Sequence, residues 1–423
     1  MFRITVFVVV AALQFLCYTR ARRWAAARFP GSARARILVN ALFACFALTL
    51  FVAVFFGMAG GALPGWLTTL LARPFYIWLG GTIGLGLVLL LWMILEAPFR
   101  LGRGVISRIP RLGARYRIIS AHPASRQFDA ARRAFLFHAA EGITLASFGG
   151  ATYGVFRGRY GFQYTAATME LDNLPPQLEG FTIGLLSDIH SSSFMTKPDM
   201  DGYCRGVMSL GADMIVVPGD FVNSQTSEVY PFAESFSALH ATSGVFGVMG
   251  NHDFYAGDPE RVAREVDGCG IRLLRNDSVI ITHNGGSFAL AGIDDVGRRD
   301  IATRRMQRAL HGVPGGMPKV LLSHRPYHIG EAGAEGVDLM LSGHTHGGQI
   351  VLGQIAGVTI TPASLASPYV WGKYRLGRTQ MYVSRGIGTV GLPMRINCPP
   401  EITKITLRRA AAPGGGTTDA HGS

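Results

Sequence analysis

FTIGLLSDIHSS, residues Phe181–Ser192, decides the fold: an apolar run of strand length stops at Ser187 and passes into a loop carrying Asp188 and His190. A short, unbroken apolar run bounded by a polar loop is the mark of a strand covered on both faces. The arrangement recurs along the chain. Met214–Pro218 leads into Gly219-Asp220, Gly244–Met249 into Gly250-Asn251-His252-Asp253, and Lys319–Ser323 into His324. Asp338–Leu341 leads into Gly343-His344-Thr345-His346, and a further strand is expected at Ser287–Ala291. Helices are expected near Asp199–Leu210, Tyr230–His240 and Pro259–Gly268, so the pattern is α/β or α+β. In open α/β sheets the loops at the C-terminal ends of strands open into one crevice, where residues distant in sequence can meet.

Hard oxygen ligands mixed with imidazoles, and no thiolate, suit Mn, Fe or Zn. Two such ions sharing a carboxylate, roughly 3.5–4 Å apart, clamp the attacking and leaving oxygens of a phosphoryl displacement. A lone Asp-x-His or Gly-Asp is usually only a turn or a helix cap. Five such loops in this order, each behind an apolar strand, argue against that reading for the set.

In context, LLSDIHSS, VVPGDFVN, VMGNHDFY and LSGHTHGGQ resemble the calcineurin-like metallophosphoesterase superfamily, and in particular its bacterial membrane-anchored phosphodiesterase branch. YVSRGIGTVGLPMRINCPPEI is similar to the same branch, and the resemblance covers about Leu171 to Leu407. It implies a four-layer β-sandwich flanked by helices, with two divalent metal ions at the strand ends. It further implies that Asp188, His190 and His346 hold the first ion, that Asp220 bridges both, and that Asn251, His324 and His344 complete the second. A hydroxide between the ions would be the nucleophile. His252 would hydrogen-bond the phosphoryl oxygen or protonate the leaving alkoxide, with Asp253 orienting its ring; a loop cap is the other reading of Asp253. The purple acid phosphatases have a Tyr three residues after the bridging Asp, and Asn223 here sets that branch aside. His122, His138, His240, His283, His311 and His328 match no ligand position and are expected on the surface or in the core. Gly347-Gly348-Gln349 and Gly386–Gly391 either bring backbone amides to a phosphate or make tight turns.

The chain has 423 residues, 48% of them hydrophobic and 16% charged, which points to a membrane portion joined to a globular one. Its net charge of +13 is unevenly spread. Residues 1–133 carry 17 Arg, no Lys and two acids (Glu96 and Asp129), a net of +15, whereas the rest holds 23 basic and 25 acidic residues, a net of −2. The basic residues sit between hydrophobic segments, so a membrane is expected as partner and nucleic acid is not. The five cysteines form no CxxC pair, and Cys204 with Cys269 would pair only in an exported globular half.

Spans are expected at about 4–18, 37–57 and 75–97; a fourth candidate, 134–155, carries His138 and Glu141 and is alternatively an amphipathic surface helix. The first run has no small-residue cleavage site and is followed by an Arg cluster, so it reads as a retained helix. The Arg-rich loops after the first and third runs face the cytoplasm by the positive-inside rule. The globular half then lies outside if the fourth segment spans, which the RRAFLF run at Arg132–Phe137, similar to a weak twin-arginine signal, favours. The expected division is 1–160 for the membrane region, 161–409 for the globular domain and 410–423 for a disordered tail.

Hydrolysis of a phosphodiester or pyrophosphate bond is the expected activity, and the anchor makes a lipid-linked substrate attractive. The superfamily's cleavage of UDP-diacylglucosamine is one option. A scaffold or sensor with a vestigial metal site would lack ligands, and every ligand position here is filled. A transporter is disfavoured because only Glu96, Glu141 and His138 lie in or beside the spans.

Overall fold

The computed structural model describes residues 2–55, 65–355 and 358–410. Its contacts divide the chain into two units, Met1–Val155 and Phe156–Ser423, a few residues before the change in sequence character near Gly161. Apart from Ala410, the expected disordered tail lies outside the described residues.

The first unit is helical: α1 (Phe2–Arg28), α2 (Ala33–Phe55), α3 (Gly65–Arg108), α4 (Pro110–Ala121) and α5 (Pro123–Tyr153). Proline begins α4 and α5, where its fixed φ and missing N–H cost nothing, and His122 caps α5 by accepting the Ala124 N–H. Ile4–Arg28, Ala33–Val52 and Leu70–Arg108 are long and apolar enough to cross a membrane. The first helix outruns its expected 4–18 because helix-forming Ala and Arg continue it to Arg28. The fourth candidate lies in α5 except for its last two residues, and α5 is not among those three helices. Leu38, Leu71 and Leu91 are exposed on these helices, as side chains facing hydrocarbon would be.

In the second unit the apolar runs become β2 (Thr182–Leu185), β3 (Met214–Val217), β4 (Val245–Gly247), β7 (Gly286–Ile293), β8 (Lys319–Ser323) and β9 (Leu339–Ser342). Not expected were β1 (Gln163–Leu171), β5 (Arg272–Leu273), β6 (Asp277–His283), β10 (Gly353–Ile355), β11 (Val358–Ile360), β12 (Gly372–Leu376), β13 (Thr379–Val383) and β14 (Glu401–Arg409). One six-stranded sheet runs β1-β14-β2-β3-β4-β5 and the other β12-β13-β9-β8-β7-β6, while β10 and β11 form a separate hairpin. β2, β3 and β4 are mutually parallel, and so are β7, β8, β9 and β13.

The helices of this unit are α6 (Lys197–Met208), α7 (Val229–Phe236), α8 (Asn251–Tyr255), α9 (Pro259–Gly268), α10 (Arg299–Leu310) and α11 (Ile329–Ala334). Met169, Ile183, Val216, Phe288, Leu322 and Leu341 fill the space between the two sheets. Cys204, Phe232 and Val262 cover the outer face of the first sheet, and Ala302, Met306 and Ile329 that of the second. The result is the four-layer sandwich flanked by helices. Burial of each such Val, Leu, Ile or Phe stabilises the unit by roughly 1.5–3 kcal/mol before chain entropy is subtracted. The layering explains why β3 and β9 read as unbroken apolar runs: both their faces are covered.

Candidate metal centre

The parallel strands of both sheets end at one edge, and their loops meet there. Asp188 and His190 follow β2, Asp220 follows β3, Asn251 and His252 follow β4, His324 follows β8, and His344 and His346 follow β9. The loops are stapled by backbone hydrogen bonds: the Asp188 N–H donates to Gly219 O (3.1 Å) and the His190 N–H to Asp220 O (3.0 Å). Asp188 (φ 54), His190 (49), Asp220 (58), His344 (74) and His346 (53) all lie in the left-handed region. Such residues cost on the order of 1–3 kcal/mol each and persist only where surrounding contacts over-determine them, a habit of functional sites. The neighbouring glycines are required by close approach: a Cβ on Gly250 would collide with Asp220, and one on Gly343 with Ser187 and Asp188.

Asp188, His190, Asp220 and His346, all buried, each offer one donor atom, and the four atoms lie within 4.8 Å of one another. His190 Nε2 is 3.1 Å from His346 Nε2 and 3.4 Å from Asp220 Oδ2, and His346 Nε2 is 3.7 Å from Asp188 Oδ1. A second group adjoins it. His324 Nε2 lies 3.2 Å from Asp220 Oδ2, from Asn251 Oδ1 and from His344 Nδ1. The structure thus brings all seven expected ligand residues together, with Asp220 Oδ2 common to both groups.

Burial strips water from these groups and decides their charge. It pushes His190 down to about 3, and His344 and His346 well below the ordinary imidazole value. Burial raises Asp188 to about 6. For His324 burial is outweighed by the Asp220 carboxylate, which lifts the imidazole to about 10; the same pairing, against burial, holds Asp220 well down. The Nδ1–H of His324 donates to Pro218 O (2.8 Å), which fixes the ring so that Nε2 faces the cluster. The neutral imidazoles of His190 and His346, with Nε2 atoms 3.1 Å apart beside the ionised Asp220 carboxylate, repel one another unless a proton or cation lies between them. The donor set therefore fits divalent cations.

The sequence profile of the calcineurin-like phosphoesterases matches residues 181–348. A metallophosphoesterase of Bacillus subtilis, itself uncharacterised, is 30% identical over 284 residues, covering 66% of this chain and 97% of that protein. The chain belongs to the calcineurin-like phosphoesterase family. A transmembrane protein with a metallophosphoesterase domain from Danio rerio is 32% identical over 270 residues, 62% of this chain, and the chain spans 60% of its length. Among solved structures, TT1561 of Thermus thermophilus aligns over 49% of this chain and 90% of its own, at 16% identity and a TM-score of 0.35.

Of the two expected roles of Asp253, the contacts fit the cap. Asp253 does not orient His252. Its Oδ2 accepts the N–H groups of Asp220 (3.0 Å) and Gly250 (2.7 Å), and its Oδ1 those of Phe221 (2.8 Å) and Val222 (3.1 Å). Four donors occupy the carboxylate, so nothing remains for the imidazole; Asp253 instead clamps the loop that presents Asp220. His252 Nδ1 meets the Asn223 carbonyl, in a loop held by Glu228 through the N–H groups of Asn223, Ser224 and Gln225. That contact leaves His252 Nε2 without a role in holding the ring. The His252 backbone N–H donates to Asp220 Oδ1 (2.8 Å), and its ring lies edge-on to His190 at 4.6 Å.

Sequence reasoning passed over Arg395, which is fully buried. Its guanidinium donates to the carbonyls of Arg385 (2.8 Å), Gly386 (3.1 Å), Gly388 (2.6 Å), Cys398 (3.2 Å) and His346 (3.4 Å). The only signal was a lone Arg inside GLPMRINC. In the Gly386–Gly391 segment the Gly388 N–H donates to Asp188 O (2.7 Å), and a Cβ on Gly386 would press on Asp188, so these two glycines serve close packing against Asp188. Ser187 Oγ donates to Asp188 Oδ2 (2.7 Å). Cys204 and Cys269 are free thiols, and His328 is buried against Val296 O, away from the cluster.

Proposed function

We propose that the chain hydrolyses a phosphodiester or pyrophosphate bond using two divalent cations, Mn, Fe or Zn. Asp188, His190 and His346 would hold one, Asn251, His324 and His344 the other, and Asp220 would bridge them. The observation that carries the reading is Asp220 Oδ2, which stands 3.4 Å from His190 Nε2 and 3.2 Å from His324 Nε2 and so belongs to both ligand groups. When bound, such a pair neutralises phosphoryl oxygens and activates water as the nucleophile. His252, fixed through Nδ1, turns its other nitrogen to a phosphoryl oxygen or to the leaving alkoxide. Asp253 contributes by holding Asp220 in its left-handed conformation.

A lipid-linked phosphodiester is the substrate class that best suits the apolar helices. We take α5 as a fourth span, because Glu141 is partnered by Trp24 Nε1 (2.9 Å) and by His138 (3.2 Å). The catalytic unit then faces outward from a bacterial inner membrane. A reporter fused after Ser423 that is active on one side only tests this; activity in the cytoplasm refutes it. The chemistry is tested with purified protein and Mn²⁺ on bis-p-nitrophenyl phosphate. Asp220→Ala, or chelation, is expected to lower the rate by at least about 10³-fold, as loss of a whole catalytic unit does. Equal rates for variant and parent overturn the proposal.

A further inference from the structure

Within the helical unit a cavity of about 570 Å³, inside the range of roughly 300–1,000 Å³ usual for ligand sites, lies among α1, α2, α3 and α5. Its walls are apolar and aromatic at one end and basic at the other. Phe43 and Phe148 pack on Trp78, with ring centroids at 4.8 and 5.8 Å, and Leu85 completes that floor. Cys17 Sγ, bonded to Thr82 O (3.4 Å), ties α1 to α3 there. Arg20 and Arg23, three and six residues further along α1, also line the cavity. Neither has an ion pair or hydrogen bond among the described residues. Their neighbour Arg22 is engaged with the Tyr18 hydroxyl (3.4 Å) and does not line the cavity. Glu141 also lines it, but both its oxygens are taken, one by Trp24 and one by His138, so two unpaired arginines outweigh one partnered carboxylate.

An apolar slot with a basic mouth matches one chemistry, a hydrocarbon chain ending in an anionic phosphate head. Arginines near a lipid surface attract anionic headgroups. We propose that this cavity binds one anionic phospholipid, its acyl chain against Trp78, Phe43 and Phe148 and its phosphate at Arg20 and Arg23. The site is separate from the metal centre and does not depend on the activity proposed above.

The test uses the full chain in detergent micelles, titrated with phosphatidylglycerol or phosphatidylcholine and followed by native mass spectrometry. One phosphatidylglycerol is expected to be retained in preference to phosphatidylcholine. Each arginine near a lipid surface favours an anionic head by about fivefold, so the Arg20→Ala/Arg23→Ala variant should weaken binding on the order of 25-fold. Arg34→Ala/Arg36→Ala removes two arginines in the first turn of α2 that do not line the cavity, and should leave binding unchanged. Ala140→Trp fills the cavity with both arginines kept, and should exclude the lipid. Glycerol 3-phosphate, a head without a chain, should not displace it. Monodisperse elution and an unchanged melting temperature without lipid identify variants that fold. Equal retention of the two lipids, an equal loss in both arginine pairs, full binding by Ala140→Trp, or displacement by glycerol 3-phosphate each overturns the proposal.

Discussion

Replacing Arg395 with Met removes the donor that ties together five carbonyls beneath the first ligand group. The side chain is wholly buried and its acceptors are all backbone oxygens, those of Arg385, Gly386, Gly388, His346 and Cys398. Met restores much of the volume but leaves these oxygens without that donor. A buried polar group that loses its partner costs roughly 1–3 kcal/mol, and the carbonyls can relax together, so a total of about 3–5 kcal/mol is expected. The loss is directional. Gly386 packs on Asp188, Gly388 donates to the Asp188 carbonyl, and the His346 carbonyl is itself an Arg395 acceptor, so two of the four residues of the first group are held through this guanidinium. Supporting contacts of this kind are typically worth 10- to 100-fold in metal affinity. Urea unfolding and a chelator-competition titration with Mn²⁺ measure the two effects on one preparation. Arg395→Lys keeps the charge but has only three donors, and should fall between parent and Met variant. If Arg395→Met unfolds more easily yet binds Mn²⁺ as tightly as the parent, the residue supports packing alone and the argument fails.

Asp253→Asn turns one acceptor oxygen into a donor facing backbone N–H groups, so it should cost about 2–4 kcal/mol in urea unfolding and lower metal content together with activity. Normal stability with reduced kcat alone would instead restore Asp253 to orienting His252. His252→Ala, which removes no proposed ligand, should lower kcat by about 10²- to 10⁴-fold with metal content unchanged by elemental analysis; loss of metal would make His252 a ligand. In metal-free protein His324, lifted to about 10 from an ordinary 6.5, adds stability that is full below about pH 6.5 and is lost as pH rises toward 10. His190, pushed down to about 3, acts oppositely and removes stability as pH falls below about 6.5. Chelated protein should therefore melt highest near pH 6–7. Mn²⁺ uptake at pH 8 should release about one proton, from His324, by calorimetry in two buffers; no release would contradict the assigned charge.

Each ligand-bearing loop was legible because its signal is local. An unbroken apolar run means a strand covered on both faces, and strand ends in such sheets share a crevice, so the loops carrying Asp188, His190, Asp220, Asn251, His324, His344 and His346 could be read from the local pattern, while their expected ligand roles came from the family resemblance. β14 and β1 were not legible, because each is completed by pairing with a strand more than two hundred residues away. The left-handed backbone of Asp188, Asp220 and His344 was equally silent, since it is imposed by hydrogen bonds between loops and not by the residues' own preferences. Sequence left Asp253 between two roles, orienting His252 and capping a loop. Adjacency suggested His252 as its partner, whereas the tertiary fold aims the carboxylate at N–H groups some thirty residues earlier. The sequence alone determined which chemical groups are available and the order of the strands that carry them. Their convergence on Asp220, and the part played by Arg395, depended on contacts across the two sheets, because the energy that holds a buried polar group is set by what surrounds it in space.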